Sequence, residues 1–203
     1  YISILFTNYK RINIVILFKI KTQTKQVRYG VLCLMQWRRK MRYHNITHDD
    51  MLNGEGLRTV LWVSGCEHHC NNCQNPITWD INGGLLFDEN AERELFECLA
   101  PGYIEGVTFS GGDPLHTSNR DEITRLAKKV KEKYPNKNIW LYTGYLWEQI
   151  SNLEIVNYVD VIVDGKFVEE LKDNMLHWKG SSNQRIINVP ATLKKGEVVL
   201  FED

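Results

Sequence analysis

The chain has 203 residues, 43% hydrophobic and 25% charged, with a formal net charge of zero. Those proportions fit an ordinary globular protein and exclude a collagenous, low-complexity or wholly disordered chain. The zero is a sum of unlike parts. Residues 1–40 hold nine Lys or Arg and no Asp or Glu, while residues 41–203 hold 16 basic and all 25 acidic residues, so +9 stands against −9.

The first forty residues start at Tyr1, and the first methionines are Met35 and Met41. Their apolar run, Ile14 to Phe18, is too short for a bilayer, which needs about 20 residues. No small-residue cleavage site follows it, and Lys outnumbers Arg with Ser only at Ser3, so neither a signal nor a transit peptide fits well. The expectation is that residues 1–40 are an extension from a start placed upstream, with translation at Met41 and one domain over 41–203. Such a domain can bury about 70% of its unfolded surface.

Thr59 to Val63 is a short β-branched run and predicts a buried strand. Asp88 to Leu99 has helical spacing, with Leu95 and Leu99 on one face and Asp88 as N-cap. Gly106 to Phe109 reads as a strand stopped at Gly111-Gly112. Asp121 to Tyr134 reads as an amphipathic helix, with Ile123, Leu126, Ala127 and Val130 inward and Pro135 ending it. Ile139 to Tyr142 is a third strand, Leu146 to Ile150 a short helix and Val159 to Val163 a fourth strand. Ile186–Val189 and Val198–Phe201 are read as a final strand pair. The alternation predicts an α/β fold, a parallel sheet of βα units covered on both faces.

Three of five cysteines stand together after the first strand, as Cys66-x3-Cys70-x2-Cys73. An odd count with no sign of secretion fits disulfides poorly. Zinc would need a fourth ligand, and His44, His48, His68 and His69 are nearby, so a zinc-binding interaction module is an alternative. His68 and His69 are expected to point outward from a loop that wraps its own metal. A [4Fe–4S] cluster normally takes four cysteines. Cys98 reads as a small buried residue on its helix, so one iron would be left open, a coordination site for a substrate or cofactor. The carboxyl end of a strand in a parallel sheet is where such folds bind ligands.

The cysteine motif followed, one strand later, by Ser110-Gly111-Gly112-Asp113-Pro114 resembles the radical S-adenosylmethionine superfamily. Asn53-Gly54-Glu55-Gly56, Val63-Ser64-Gly65-Cys66, Thr143-Gly144-Tyr145, Val163 to Phe167 and Trp178 to Gln184 narrow the resemblance to the activating proteins of anaerobic ribonucleoside-triphosphate reductases. It covers nearly all of residues 41–190. It implies a partial (β/α) barrel, with Cys66, Cys70 and Cys73 as ligands of one [4Fe–4S] cluster and S-adenosylmethionine chelating the open iron. It further implies reductive cleavage to a 5′-deoxyadenosyl radical, which takes hydrogen from a glycine of the reductase large subunit.

Asn72, Cys73, Gln74, Gly111, Gly112 and Asp113 are then the cofactor-binding positions. The glycine pair removes two Cβ atoms, which lets backbone approach a ligand closely. Asn72 and Gln74 read equally as loop-forming residues, and Gly-Gly-Asp-Pro alone as a turn. Asn53 to Gly56 is read as a glycine turn rather than a flexible lip against the partner. No side chain need act as general acid or base, and Tyr142, Tyr145 and Trp147 read as packing. Two remaining cysteines cannot hold a second cluster, so an external donor such as flavodoxin or ferredoxin is implied. An activator of pyruvate formate-lyase is the neighbouring alternative. The acidic domain argues against nucleic acid, no membrane segment is expected, and the implied location is an anaerobic cytoplasm.

Overall fold

A computed structural model describes residues 40–201 in full, and residues 3–5, 15–20 and 28–33 as backbone strands. The chain divides into two compact units, Tyr1–Arg39 and Lys40–Asp203. In the first, β1 (Ser3–Leu5), β2 (Val15–Ile20) and β3 (Arg28–Cys33) form an antiparallel sheet in the order β1-β2-β3. Most of the expected 1–40 extension otherwise lies outside the described residues.

The second unit is built on β4 (Arg42–Asp50), β5 (Arg58–Val63), β6 (Leu85–Leu86), β7 (Gly106–Gly111), β8 (Asn138–Tyr142), β9 (Val161–Asp164) and β10 (Arg185–Asn188). Its sheet has the order β10-β9-β8-β7-β5-β4-β6. The four central strands, β5, β7, β8 and β9, are parallel. The flanking β4, β6 and β10 pair antiparallel, so the sheet is mixed rather than wholly parallel. β4 escapes a search for apolar runs because Arg42–Asp50 is largely polar and bulged against β5. The tail also departs from expectation. β10 pairs with β9, Val189 opens a helix, and residues 199–201 return beside β10 with one isolated bridge, Ile187 to Leu200.

Helices α1 (Glu89–Leu99) and α2 (Arg120–Lys133) connect β6 to β7 and β7 to β8. The Asp88 carboxylate caps α1 by accepting from the Asn90 and Ala91 N–H groups, a contact worth about 1 kcal/mol. Both helices bury one apolar stripe, Leu95 and Leu99 on α1 and Ile123, Leu126 and Val130 on α2. These pack with Leu61, Phe109, Ile139, Leu141 and Ile162 in the main core. Two shorter helices follow, α3 (Trp147–Ile150) and α4 (Val189–Lys195). Among the described residues no helix is long and apolar enough to cross a membrane.

Alternation along the strands sends Arg58, Thr108, Trp140 and Val163 to the opposite face. There Trp140, Val161 and Val163 form a second cluster with Trp178 and Phe201. Trp140 meets Trp178 and Phe201 edge-on, at centroid distances of 5.1 and 5.3 Å. Arg58 is wholly buried beside them, its guanidinium 5.4 Å from the Trp140 ring centroid. Burial lowers its pKa to about 10. Arg58 donates to Thr108 Oγ1, Glu55 O and Val107 O at 2.8, 2.7 and 3.0 Å. Thr108 Oγ1 in turn donates to Asn53 O. The Asn53–Gly56 turn is therefore pinned beneath the sheet's open face as a floor.

Arg58→Met would strand two buried acceptors, Thr108 Oγ1 and Val107 O, besides losing the bond to Glu55 O, and is expected to destabilise the protein by about 3 kcal/mol. Urea unfolding checks this. Arg58→Lys should recover little, because an ammonium cannot reproduce the guanidinium fork.

Candidate functional site

β5 ends at Val63, and the chain then makes a loop whose two ends are tied together. Gly65 N–H donates to Thr78 O and Cys66 N–H to Trp79 O, at 2.7 and 3.2 Å. Ser64 N–H anchors the loop base on Arg42 O of β4. Inside the loop, Cys73 N–H turns back to Cys70 O, and Asn75 N–H donates to Cys73 Sγ at 3.4 Å. His69 and Asn72 take left-handed backbone conformations, φ 47° and 52°, which these residue types tolerate better than most.

The loop forms one wall of a cavity of about 390 Å³, within the range of small-molecule sites. Cys66, Cys70, Asn72, Cys73 and Gln74 line that wall, and Ser110 to Gly112 and Tyr142 to Gly144 line the wall of strand ends. Gly165 to Phe167, Lys172, Lys179 and Gln184 line the opposite side. The structure thus brings seven sequence-predicted residues to one cavity, Cys66, Cys70, Asn72, Cys73, Gln74, Gly111 and Gly112. Asp113 is not among its lining residues.

Burial pushes the Cys66 thiol up to about 11, opposed by the His68 and His69 N–H groups beside it. Burial raises Cys70 too, opposed by the Phe167 N–H and Lys166. Ligation of such thiols therefore releases protons. Among the described residues no three His, Cys, Asp or Glu side chains converge where one ion would sit. All three thiols line the same cavity. Cys98 lies apart on α1, its sulfur 3.8 Å from His48 Nε2.

The glycine pair serves a closer approach than the one to a ligand. An added Cβ at Gly111 would lie 2.5 Å from Val63 N, and one at Gly112 would lie 2.6 Å from Gly65 O. The Gly112 and Asp113 N–H groups donate to Val63 O and Gly65 O at 2.7 and 2.8 Å. Those two donors are committed to the end of β5 and the cysteine loop, so neither is free for a ligand.

Asp113 is 1% exposed. Its Oδ1 accepts from Leu115 N–H and Thr143 Oγ1 at 2.8 and 3.0 Å. Its Oδ2 accepts from Gly144 N–H at 3.0 Å and faces His68 Nε2 at 2.6 Å. Contrary to expectation, the His68 side chain turns inward and is 7% exposed. His69 is exposed, edge-on to Trp79 at 4.8 Å.

The wall at residues 165–184 was not legible as a site. Gln184 Oε1 accepts from Gly180 and Ser181 N–H, and its Nε2 donates to Gly165 O at 3.0 Å. Asn183 donates to Lys166 O, and Tyr142 OH donates to Trp178 O at 2.8 Å. Polar residues at this spacing carry no local signal of a cavity wall; only their backbone targets reveal it.

A parallel-centred α/β sheet with three thiols lining one cavity at its strand ends describes an iron–sulfur protein. In agreement, the family model described as a 4Fe-4S single cluster domain matches residues 52–187. The anaerobic ribonucleoside-triphosphate reductase-activating protein of Enterobacteria phage T4 is 48% identical over 146 residues, 72% of this chain and 93% of the relative. The proteins of that name from Escherichia coli (strain K12) and Haemophilus influenzae are 41% and 40% identical, covering 96% and 97% of their own lengths and 71% and 72% of this chain. The chain belongs to the family of anaerobic ribonucleoside-triphosphate reductase-activating proteins.

Gly112→Ala should lower the unfolding temperature and disturb the cysteine loop together, because its Cβ meets backbone that cannot swing aside. Thermal unfolding and thiol accessibility, followed on one sample, check that the two change jointly.

Proposed function

We propose that this chain activates an anaerobic ribonucleoside-triphosphate reductase by generating a glycyl radical on its large subunit. The observation that carries the reading is three thiols, and among the described residues no fourth, lining one cavity at the carboxyl ends of parallel strands. Such a donor set fits a [4Fe–4S] cluster with one iron open to S-adenosylmethionine. When bound, the two supply one-electron cleavage of a carbon–sulfur bond and, through the 5′-deoxyadenosyl radical, removal of a hydrogen atom from the partner's glycine. The protein's part is position, charge and exclusion of water.

Cys66, Cys70 and Cys73 hold the cluster. The carbonyl groups at Gly111 and Gly112 suit an ammonium donor, and the lysines at 166, 172 and 179 bring positive charge suited to a carboxylate. Asn72 and Gln74 stand at the cluster wall with carboxamides that both donate and accept. The 165–184 segment, tied down by Gln184, walls the site against solvent. The strand ends around this cavity are read as the working rim of a partial barrel. Electrons come from outside, from a donor such as flavodoxin or ferredoxin, in an anaerobic cytoplasm. The relatives' names favour the reductase over pyruvate formate-lyase as partner, and the matching 4Fe-4S family model favours a cluster over a single zinc ion.

The test is anaerobic reconstitution with iron and sulfide, reduction with S-adenosylmethionine present, and chromatographic assay of 5′-deoxyadenosine. Incubation with the reductase should then give a glycyl-radical signal by electron paramagnetic resonance. Replacing any one of Cys66, Cys70 or Cys73 by Ala should abolish both products, whereas Cys98→Ala should leave them largely intact. A trio variant that keeps full cleavage, or zinc without sulfide in the purified protein, would refute the reading.

A further inference from the structure

Between Cys66 and Cys70 the loop has one buried side chain, and the chemistry above does not use it. His68 is two residues from each of these cysteines. Its Nε2 lies 2.6 Å from Asp113 Oδ2, and its side chain is 7% exposed against 1% for Asp113. The ring stands edge-on to Tyr145 at 4.6 Å and rests on Gly144, where an added Cβ would collide with it. Asp113 also accepts from Leu115 N–H, Thr143 Oγ1 and Gly144 N–H. One carboxylate thus joins three segments around the cavity: the cysteine loop, the glycine turn and the end of β8. The other side-chain tie in this span, Glu67 to the Tyr145 hydroxyl, lies at the exposed rim, where water competes for both groups.

We propose that His68 is a positioning residue for the cluster: through Asp113 it fixes the Cys66–Cys70 span against the glycine turn and β8. This rests on the reading that the three cysteines hold the cluster. The physical reason is geometric. The backbone ties at Gly65 and Cys66 secure the base of the loop and Cys73 N–H holds Cys70 O, so His68 is the buried side-chain anchor of the span between the first two cysteines. Partners that orient ligands typically change metal affinity 10- to 100-fold when removed. The contacts His68 makes, with Asp113, Gly144 and Tyr145, lie at the strand ends, so its removal is expected to leave the packing of α1 and α2 on the sheet in place.

The experiment compares anaerobically reconstituted parent, His68→Ala and His68→Gln holoproteins. It follows iron release to a colorimetric chelator and thermal unfolding of the corresponding apoproteins. His68→Ala should release iron about 10-fold faster than the parent, with its apoprotein unfolding within about 3 °C of the parent's. His68→Gln, whose carboxamide can donate to Asp113, should recover most of the retention. The proposal is overturned if His68→Ala holds iron as long as the parent, or if Gln rescues no better than Ala. It is also overturned if faster release is matched by collapse of apoprotein stability, since His68 is then part of the fold alone. A parent protein that takes up no iron overturns this proposal together with the cluster assignment, and only that outcome reaches the assignment.

Discussion

A buried carboxylate must have its lone pairs met, because the charge is costly away from water. Asp113 meets this demand with groups from three places in the chain, and the shape of the cavity follows. Its partners at residues 68, 115, 143 and 144 are distant in sequence, apart from Leu115. They converge because β5, β7 and β8 are parallel neighbours whose ends lie side by side, with Val63 opposite Gly111 and Phe109 opposite Leu141. Loops that leave such strands emerge at one edge of the sheet, which is why ligand sites gather there. The glycine pair adds the second condition. Backbone of the turn touches backbone of the cysteine loop, so loop and turn form one unit before any cofactor is considered.

The two faces of the sheet are closed by different means. Helices α1 and α2 cover one face with aliphatic stripes, an arrangement that needs only the hydrophobic effect. The other face carries Arg58, Thr108 and Trp140, and its covering is partly polar. Arg58 is held by two carbonyls and a hydroxyl rather than by a carboxylate. This floor fills the amino-terminal half of the open face, while Trp178 and Phe201 cover Trp140. What remains open is the carboxyl-terminal edge, where the thiols lie.

The elements that could be read from the sequence are those whose packing is one-sided and local. α1 and α2 showed in apolar spacing, and Asp88 showed as a cap because capping needs only the next three residues. The central strands showed as short runs of Val, Ile and aromatic residues. β4 did not, since a polar, bulged strand carries neither a continuous run nor a clean alternation. The tail was legible in part. Ile186 to Asn188 are strand-like by composition, but composition does not name every partner: β9 pairs along one edge of β10, and residues 199–201 meet the other edge through a single bridge.

By itself the sequence determined the α/β alternation, the two helical faces and which residue types stand at the site. Cysteine spacing and glycine position are covalent facts, and they survive without any knowledge of the fold. Only the tertiary structure decided that His68 faces inward, that Asp113 braces the walls instead of lining the cavity, and that residues 165–184 form its far side. The physical reason is that a hydrogen bond is local in space and not in sequence. The donors that satisfy one buried carboxylate are chosen by which strand ends lie side by side, and strand order is written nowhere in the spacing of residues.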